Sequence, residues 1–198
     1  MNFFESMQYI INNSININSV IIKSDHELAQ INNGIKRQKN KNIKKFNLLF
    51  KCTKDGDSWK DYHSKCDGHK NLLTLVETSE GRKVGGFSSL LLKSSGGGQK
   101  DETAFIFSLD KKQNYYIKKG KNAVYFEERG PIFGQTYGSY SEFTLNCGQQ
   151  PCLTGENSYD DSGSRCCYDY GEGKKHVLAG KFEFLVLEYE VFELEFTE

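Results

Sequence analysis

The stretch Asp55–Phe87, DGDSWKDYHSKCDGHKNLLTLVETSEGRKVGGF, decides the fold, because it reads as a helix, a strand, a tight turn and a second strand in succession. Asp55-Gly56-Asp57 supplies a turn and then, in Asp57, a carboxylate placed to cap the first free amides of a helix. Trp59, Tyr62, His63 and Cys66 recur at helical spacing and form one apolar face, with Lys60, Asp61, Ser64 and Lys65 elsewhere on the cylinder. Asp67-Gly68 ends the helix, since glycine takes the left-handed conformation at little cost. Leu72–Val76 is then a short apolar strand, Ser79-Glu80-Gly81 a turn, and Lys83–Ser88 the returning strand. Gly85-Gly86 inside that strand marks close approach of another backbone.

Working outward, the chain has 198 residues, enough for one domain that buries roughly 70% of its unfolded surface without needing disulfides or a metal. Its formal charge is zero, but unevenly spread. Lys36, Arg37, Lys39, Lys41, Lys44, Lys45, Lys51, Lys54 and Lys60 form a basic segment, and the end of the chain carries Glu183, Glu188, Glu190, Glu193, Glu195 and Glu198. Two readings follow: a dipolar surface that steers a charged partner, or two segments that face each other across one sheet or simply lie solvated. The second is the expectation. No run approaches the roughly 18 apolar residues of a membrane span, and the amino end lacks a signal core. The chain is read as soluble, intracellular and cytoplasmic, with no membrane insertion and no nucleic-acid partner.

Upstream, Met1–Ser19 alternates asparagine with isoleucine, and residues 1–21 are read as a weakly structured lead-in. Ser24 with Glu27 forms a capping box for a short helix that should stop near Gly34, and Lys36–Lys45 reads as a basic linker before a strand at Phe46–Phe50. Downstream, Ser94–Gly98 reads as a flexible loop, and Ala104–Leu109, Asn114–Lys118 and Ala123–Phe126 as strands. Gly130–Gly134 reads as a break in the sheet pattern, Ser141–Leu145 as a return to it, and 146–176 as an irregular loop. Lys181–Phe196 is the longest β signal. Its apolar alternation changes phase, which demands bulges or burial on both faces, and a central strand is expected.

The candidate chemistries are weak. Cys147, Cys152, Cys166 and Cys167, with His176 beyond, are the candidate zinc ligands, but no pair has the two-to-four-residue separation of a structural site, so thiols are the expectation. Gly96–Gly98 is followed by Gln99-Lys100 rather than by the lysine and hydroxyl residue of a P-loop. His63 lies on an apolar face, where a satisfied core histidine is the commoner outcome. Cys66 sits at the carboxyl end of its helix, where the dipole does not favour a thiolate. No catalytic set and no cofactor site emerges; the residues alone describe a mainly β (α+β) binding domain.

Several motifs occur together in a familiar order. Asp55, Gly56, Ser58, Tyr62, His63 and Cys66 lead into Leu73-Thr74-Leu75-Val76, then Gly81, Val84, Gly85, Gly86 and Phe87. The Phe105–Leu109 strand follows, then the Gly130-Pro131-Ile132-Phe133-Gly134 corner, Leu178-Ala179-Gly180, and Glu188-Tyr189-Glu190-Val191-Phe192. Over residues 22–196 this resembles the TLDc family, the domain of oxidation-resistance proteins. The resemblance implies a β-sandwich of two antiparallel sheets flanked by short helices, with 22–198 as one domain. It also implies a non-enzymatic regulatory role in oxidative-stress resistance through a protein partner, the vacuolar proton-pumping ATPase among the known ones. The alternatives weighed are an architectural component of a cytoskeletal or ciliary complex, and a thiol-based antioxidant enzyme. Gln135 and the Cys147–Cys167 loop depart from the family pattern.

Overall fold

A computed structural model describes residues 3–134, 143–145, 167–169, 178–180 and 183–198, and the backbone alone of 152–154. Two antiparallel sheets dominate it. The first contains β1 (Ile43–Lys51), β2 (Leu72–Thr78), β3 (Lys83–Ser88), β5 (Phe105–Ser108), β6 (Gln113–Tyr116) and β12 (Val186–Phe196), in the order β1-β12-β2-β3-β5-β6. The second contains β4 (Gly97–Gln99), β7 (Val124–Phe126), β8 (Ile132–Phe133), β9 (Phe143–Thr144), β10 (Cys152–Thr154) and β11 (Glu183–Phe184), in the order β11-β10-β9-β8-β7-β4.

The first sheet is a middle layer. One face packs on the second sheet, through Leu72, Val76, Val84, Ile106, Tyr189 and Val191 against Val124, Phe126, Phe133, Phe143 and Phe184. The other face supports a helical layer, α1 (Phe3–Asn12) and α2 (Asp25–Lys39), through Leu73, Leu75, Phe87, Phe105, Phe107 and Phe192 against Ile10, Leu28, Ile31 and Ile35. Successive residues on a strand point to opposite faces, so a sheet covered twice reads as an unbroken apolar run rather than an alternation. The β2 strand has that pattern, buried at six of its seven positions.

That geometry resolves the phase change in the last strand. Phe184 and Val186 face the sandwich with even numbers, Tyr189 and Val191 face it with odd ones, and a register shift against β2 falls between Val186 and Glu188. One slip is therefore real. The second is only apparent, because Phe192 and Leu194 belong to the helical side of a strand buried on both faces. As expected, β12 is central, between β1 and β2. Its pairing with β1 sets Lys45 opposite Glu195, with an ion pair at 3.8 Å. The basic and acidic segments thus lie side by side in one sheet, and the amide of Asn47, with Lys45 and Lys44, holds the Glu195 carboxyl below its ordinary value.

Other expectations are corrected. The lead-in contains a helix, α1, with Ser6 and Ile10 buried against α2, and the Tyr9 hydroxyl donates to the Ile43 carbonyl at 3.1 Å. Local composition missed it because tertiary packing, not propensity, holds so short a helix. Helix α2 does not stop at Gly34 but runs to Lys39 and a left-handed Asn40 cap at φ 54°, so the supposed linker is helix up to Lys39 and strand from Ile43. Gly34 is there because a Cβ would lie 2.6 Å from the Phe105 ring. The capping box at Ser24 and Glu27 forms as read. The expected loop at Ser94–Gly98 runs into β4, paired with β7, and the expected break at Gly130–Gly134 contains β8. Within 146–176, Cys152–Thr154 is a strand, and the remainder except Cys167–Asp169 lies outside the described residues.

Gly85 and Gly86 point to opposite faces. A Cβ on Gly86 would lie 2.6 Å from the Phe133 ring of the second sheet, and one on Gly85 would collide with the Thr74 carbonyl and the Phe107 ring. A ring can shift and a strand backbone cannot. Gly86→Ala should therefore cost about 1–3 kcal/mol as an overpacked core, and Gly85→Ala distinctly more, measured by chemical denaturation. Equal or negligible losses would contradict this packing.

Glu27 offers a pH test. Burial alone would raise its carboxyl, but the hydrogen bond from Lys83 Nζ at 2.8 Å and that from the Lys23 amide, with Ser24, outweigh it and hold it below its ordinary value. A depressed folded-state value means that the stabilisation is complete above the ordinary range and fades as pH falls through the lowered one. Glu27→Gln should cost about 1 kcal/mol near neutrality, and the gap from the parent should close in acid, by denaturation at a series of pH values.

Candidate functional site

Helix α4 (Trp59–Cys66) lies beside the opening between the sheets, and its sequence explains its placement. The cap is Ser58, not Asp57: Asp61 N–H donates to Ser58 Oγ at 3.2 Å while the Ser58 backbone N–H donates to Asp61 Oδ2 at 3.3 Å. The reciprocal Ser-x-x-Asp arrangement satisfies two otherwise unpaired groups, which a lone Asp57 could not. Asp55 instead accepts the Lys51 amide at 2.9 Å, and Gly56, at φ 107°, leaves room for the Asp61 carboxylate where a Cβ would collide. The cap fixes the rotation of the helix. Tyr62, His63 and Cys66 then turn inward, Trp59 packing half-buried beside them.

His63 is 8% exposed and holds two elements together. Its Nε2 lies 3.1 Å from the Glu127 carbonyl oxygen and 2.8 Å from that of Arg129, and its Nδ1 lies 2.7 Å from Asp67 Oδ1. Carbonyl oxygens only accept, so Nε2 carries hydrogen and donates to the turn between β7 and β8. Nδ1 faces the carboxylate one turn further along its own helix, so both ring nitrogens are engaged by protein groups. The adjoining cavity, lined by Tyr62, His63, Leu72, Phe126, Pro131 and Phe133, has about 40 Å³ of room. Such a space takes a few water molecules at roughly 10–15 Å³ each, not a metabolite.

The family-pattern residues do not converge on one centre. Tyr62, His63, Gly130 and Phe133 meet at this cavity, and Gly86 lies against Phe133. Cys66 is buried in the sandwich core. Gly134, at φ 65°, donates its amide to the Ala123 carbonyl at 2.7 Å and closes β8. Gly85 and Phe87 face the helical side. Glu190 is fully buried there, accepting from the Ser19 hydroxyl and, at 3.0 Å, from the Val20 amide, with Lys51 Nζ at 3.6 Å.

Among the candidate metal ligands, Cys167 is buried and its carbonyl accepts the Lys118 amide at 2.8 Å. Cys147, Cys166, His176 and the Cys152 side chain lie outside the described residues, and among the described ones no three metal-ligating side chains cluster. Sequence reading missed Asp101. It is buried and accepts from the Ser88 hydroxyl at 2.9 Å, both groups of Ser89 at 2.6 and 3.1 Å, and both groups of Thr103 at 2.9 and 2.7 Å. Thr103, two residues on, was the only local signal, since Ser88 and Ser89 lie 13 and 12 positions away. Glu188 was missed in the same way: it is buried and accepts from the Thr53 hydroxyl and, at 3.2 Å, its amide.

A comparison with curated proteins gave no match. The family model for the TLDc domain matches residues 16–195, nine-tenths of the chain, and the protein belongs to that family.

If His63 is a clamp, His63→Ala should cost about 2–4 kcal/mol and leave two carbonyls and a carboxylate without their donor. Amides of 127–132 should then exchange with deuterium faster than the overall loss of stability explains. His63→Gln, which retains one donor, should recover part of that protection. Uniform acceleration across all strands would show that the ring contributes packing alone.

Proposed function

We propose, from its membership of the TLDc family, that this chain is a non-enzymatic interaction domain that regulates a large protein assembly in oxidative-stress resistance. The observation that carries the reading is the His63 clamp. The histidine most suited to chemistry by residue type spends one ring nitrogen on holding a turn in place and faces Asp67 of its own helix with the other, beside a cavity with room for a few waters. Residues used in this way build a rigid surface rather than a reaction centre.

The assembly we propose is the vacuolar proton-pumping ATPase, the partner that the family resemblance implies, met inside the cell. No helix among the described residues is long and apolar enough to cross a membrane, which fits attachment through a partner. A thiol-based antioxidant role has less support, because two of the three described thiols, Cys66 and Cys167, are buried and a reactive thiolate needs solvent access, while Cys52 is half-buried.

Affinity purification of the tagged chain from its own cells at low salt tests the reading. Recovery of several pump subunits in constant proportion is expected. Recovery of cytoskeletal or ciliary components without pump subunits would replace the regulator by an architectural role, and an unaccompanied chain would overturn both.

A further inference from the structure

On the opposite side of the molecule, a cleft of about 730 Å³ opens between α2 and the β5–β6 turn. That volume falls within the range of small-molecule sites, roughly 300–1,000 Å³. Its walls carry Glu27, Arg37, Asp110 and Lys112, its floor Gln30 and Tyr116, and the stacked rings of Phe3 and His26 stand at one end, their centroids 5.7 Å apart.

The charges are unequally committed. Glu27 accepts from Lys83 Nζ at 2.8 Å and from the amides of Lys23 and Ser24 at 2.6 and 3.1 Å. Asp110 accepts the Lys83 amide at 2.6 Å. Both acids are thus occupied by one lysine and by backbone. Arg37 and Lys112 are in no ion pair with a described residue. The Arg37 guanidinium carbon lies over the Tyr116 ring, 4.0 Å from its centroid, a cation–π contact that restricts where the fork can sit.

The floor adds a second requirement. Gln30 is 6% exposed, and its Nε2 faces the carbonyls of Ser108 and Gln113, each at 3.2 Å, and Asn114 Oδ1 at 3.1 Å. Those three acceptors consume its two hydrogens. Its Oε1 accepts from no described residue, although a buried amide oxygen without a donor is costly. The cleft therefore offers a cation at each end of β6, Lys112 next to Gln113 and Arg37 over Tyr116, and a buried acceptor for a hydroxyl or N–H.

We propose that this cleft binds a small molecule bearing a carboxylate or phosphate together with a hydroxyl or N–H donor, with Arg37 holding the oxyanion over Tyr116, Lys112 adding its charge from the turn end of β6, and Gln30 Oε1 accepting from the donor. The proposal is independent of the pump-regulator reading, since the cleft lies on the helical side, away from the His63 clamp.

The test is a titration of the ¹⁵N-labelled full chain, at constant ionic strength, with inorganic phosphate, citrate and glycerol 3-phosphate. Saturable shifts are expected at the amides of Arg37 and Gln113 and at the Gln30 side-chain amide, with glycerol 3-phosphate binding more tightly than phosphate. The ratio of citrate to phosphate affinity identifies which oxyanion the cleft prefers. Arg37→Gln should weaken binding roughly tenfold and Lys112→Gln severalfold. Both side chains are exposed, so an unchanged spectrum without ligand verifies folding. Absence of saturation by any probe at millimolar concentration, or equal affinity in Arg37→Gln, would overturn the site. Equal affinity for phosphate and glycerol 3-phosphate would remove the role of Gln30.

Discussion

Because the six-stranded sheet is covered on both faces, a polar side chain on its central strands has no water to turn to. An unpaired carboxylate there would cost several kcal/mol, so each one present must be supplied with donors from elsewhere in the chain. Glu190 obtains them from Ser19 and Val20, about 170 positions away, and Glu188 from Thr53. Closure of the fold follows from that requirement. The segment that joins α1 to α2 docks where it satisfies the last strand, and the last strand can be buried only once that segment is in place.

The same double burial explains the glycines. A sheet compressed between two layers has to be thin where large rings press on it. Gly86 admits Phe133 from the second sheet, and Gly85 gives room to Phe107 on the helical side, at adjacent positions of one strand. Gly34 repeats the device on α2, letting the helix axis approach the Phe105 ring. A glycine inside a helix costs about 1 kcal/mol relative to alanine, and here the close contact offsets it. The depth at which α2 is seated determines the shape of the cleft beside it, since Gln30 reaches the β6 backbone only from that depth.

How much of this was legible depended on whether the signal was local. The hairpin from Leu72 to Ser88, the capping box at Ser24 and the inward face of α4 are written in neighbouring residues, and they read correctly. The α1 helix, the passage of α2 through Gly34 and the two- and three-residue strands β4 and β8 are tertiary outcomes, and no short window contains them. The His63 site was half legible. Its burial and the Asp67 partner four residues on follow from helical spacing, but its other partners are the carbonyls of Glu127 and Arg129, and every residue has a carbonyl. The cleft was invisible for a related reason: Arg37 and Lys112 are ordinary members of basic runs until the fold shows which acids are already occupied.

That accounting of spent and unspent groups separates the two sides of the molecule. Around α4 the histidine is bonded on both sides of its ring and the adjoining space is nearly filled, so what this region presents to a partner is shape. Around α2 the acids are neutralised by Lys83 and the backbone, and two cations and an amide oxygen remain. A molecule seated there would touch α2 and the β5–β6 turn at once. Whatever binds the folded state alone stabilises it in proportion to its concentration, so occupancy of the cleft would tighten the helical layer on the sheet.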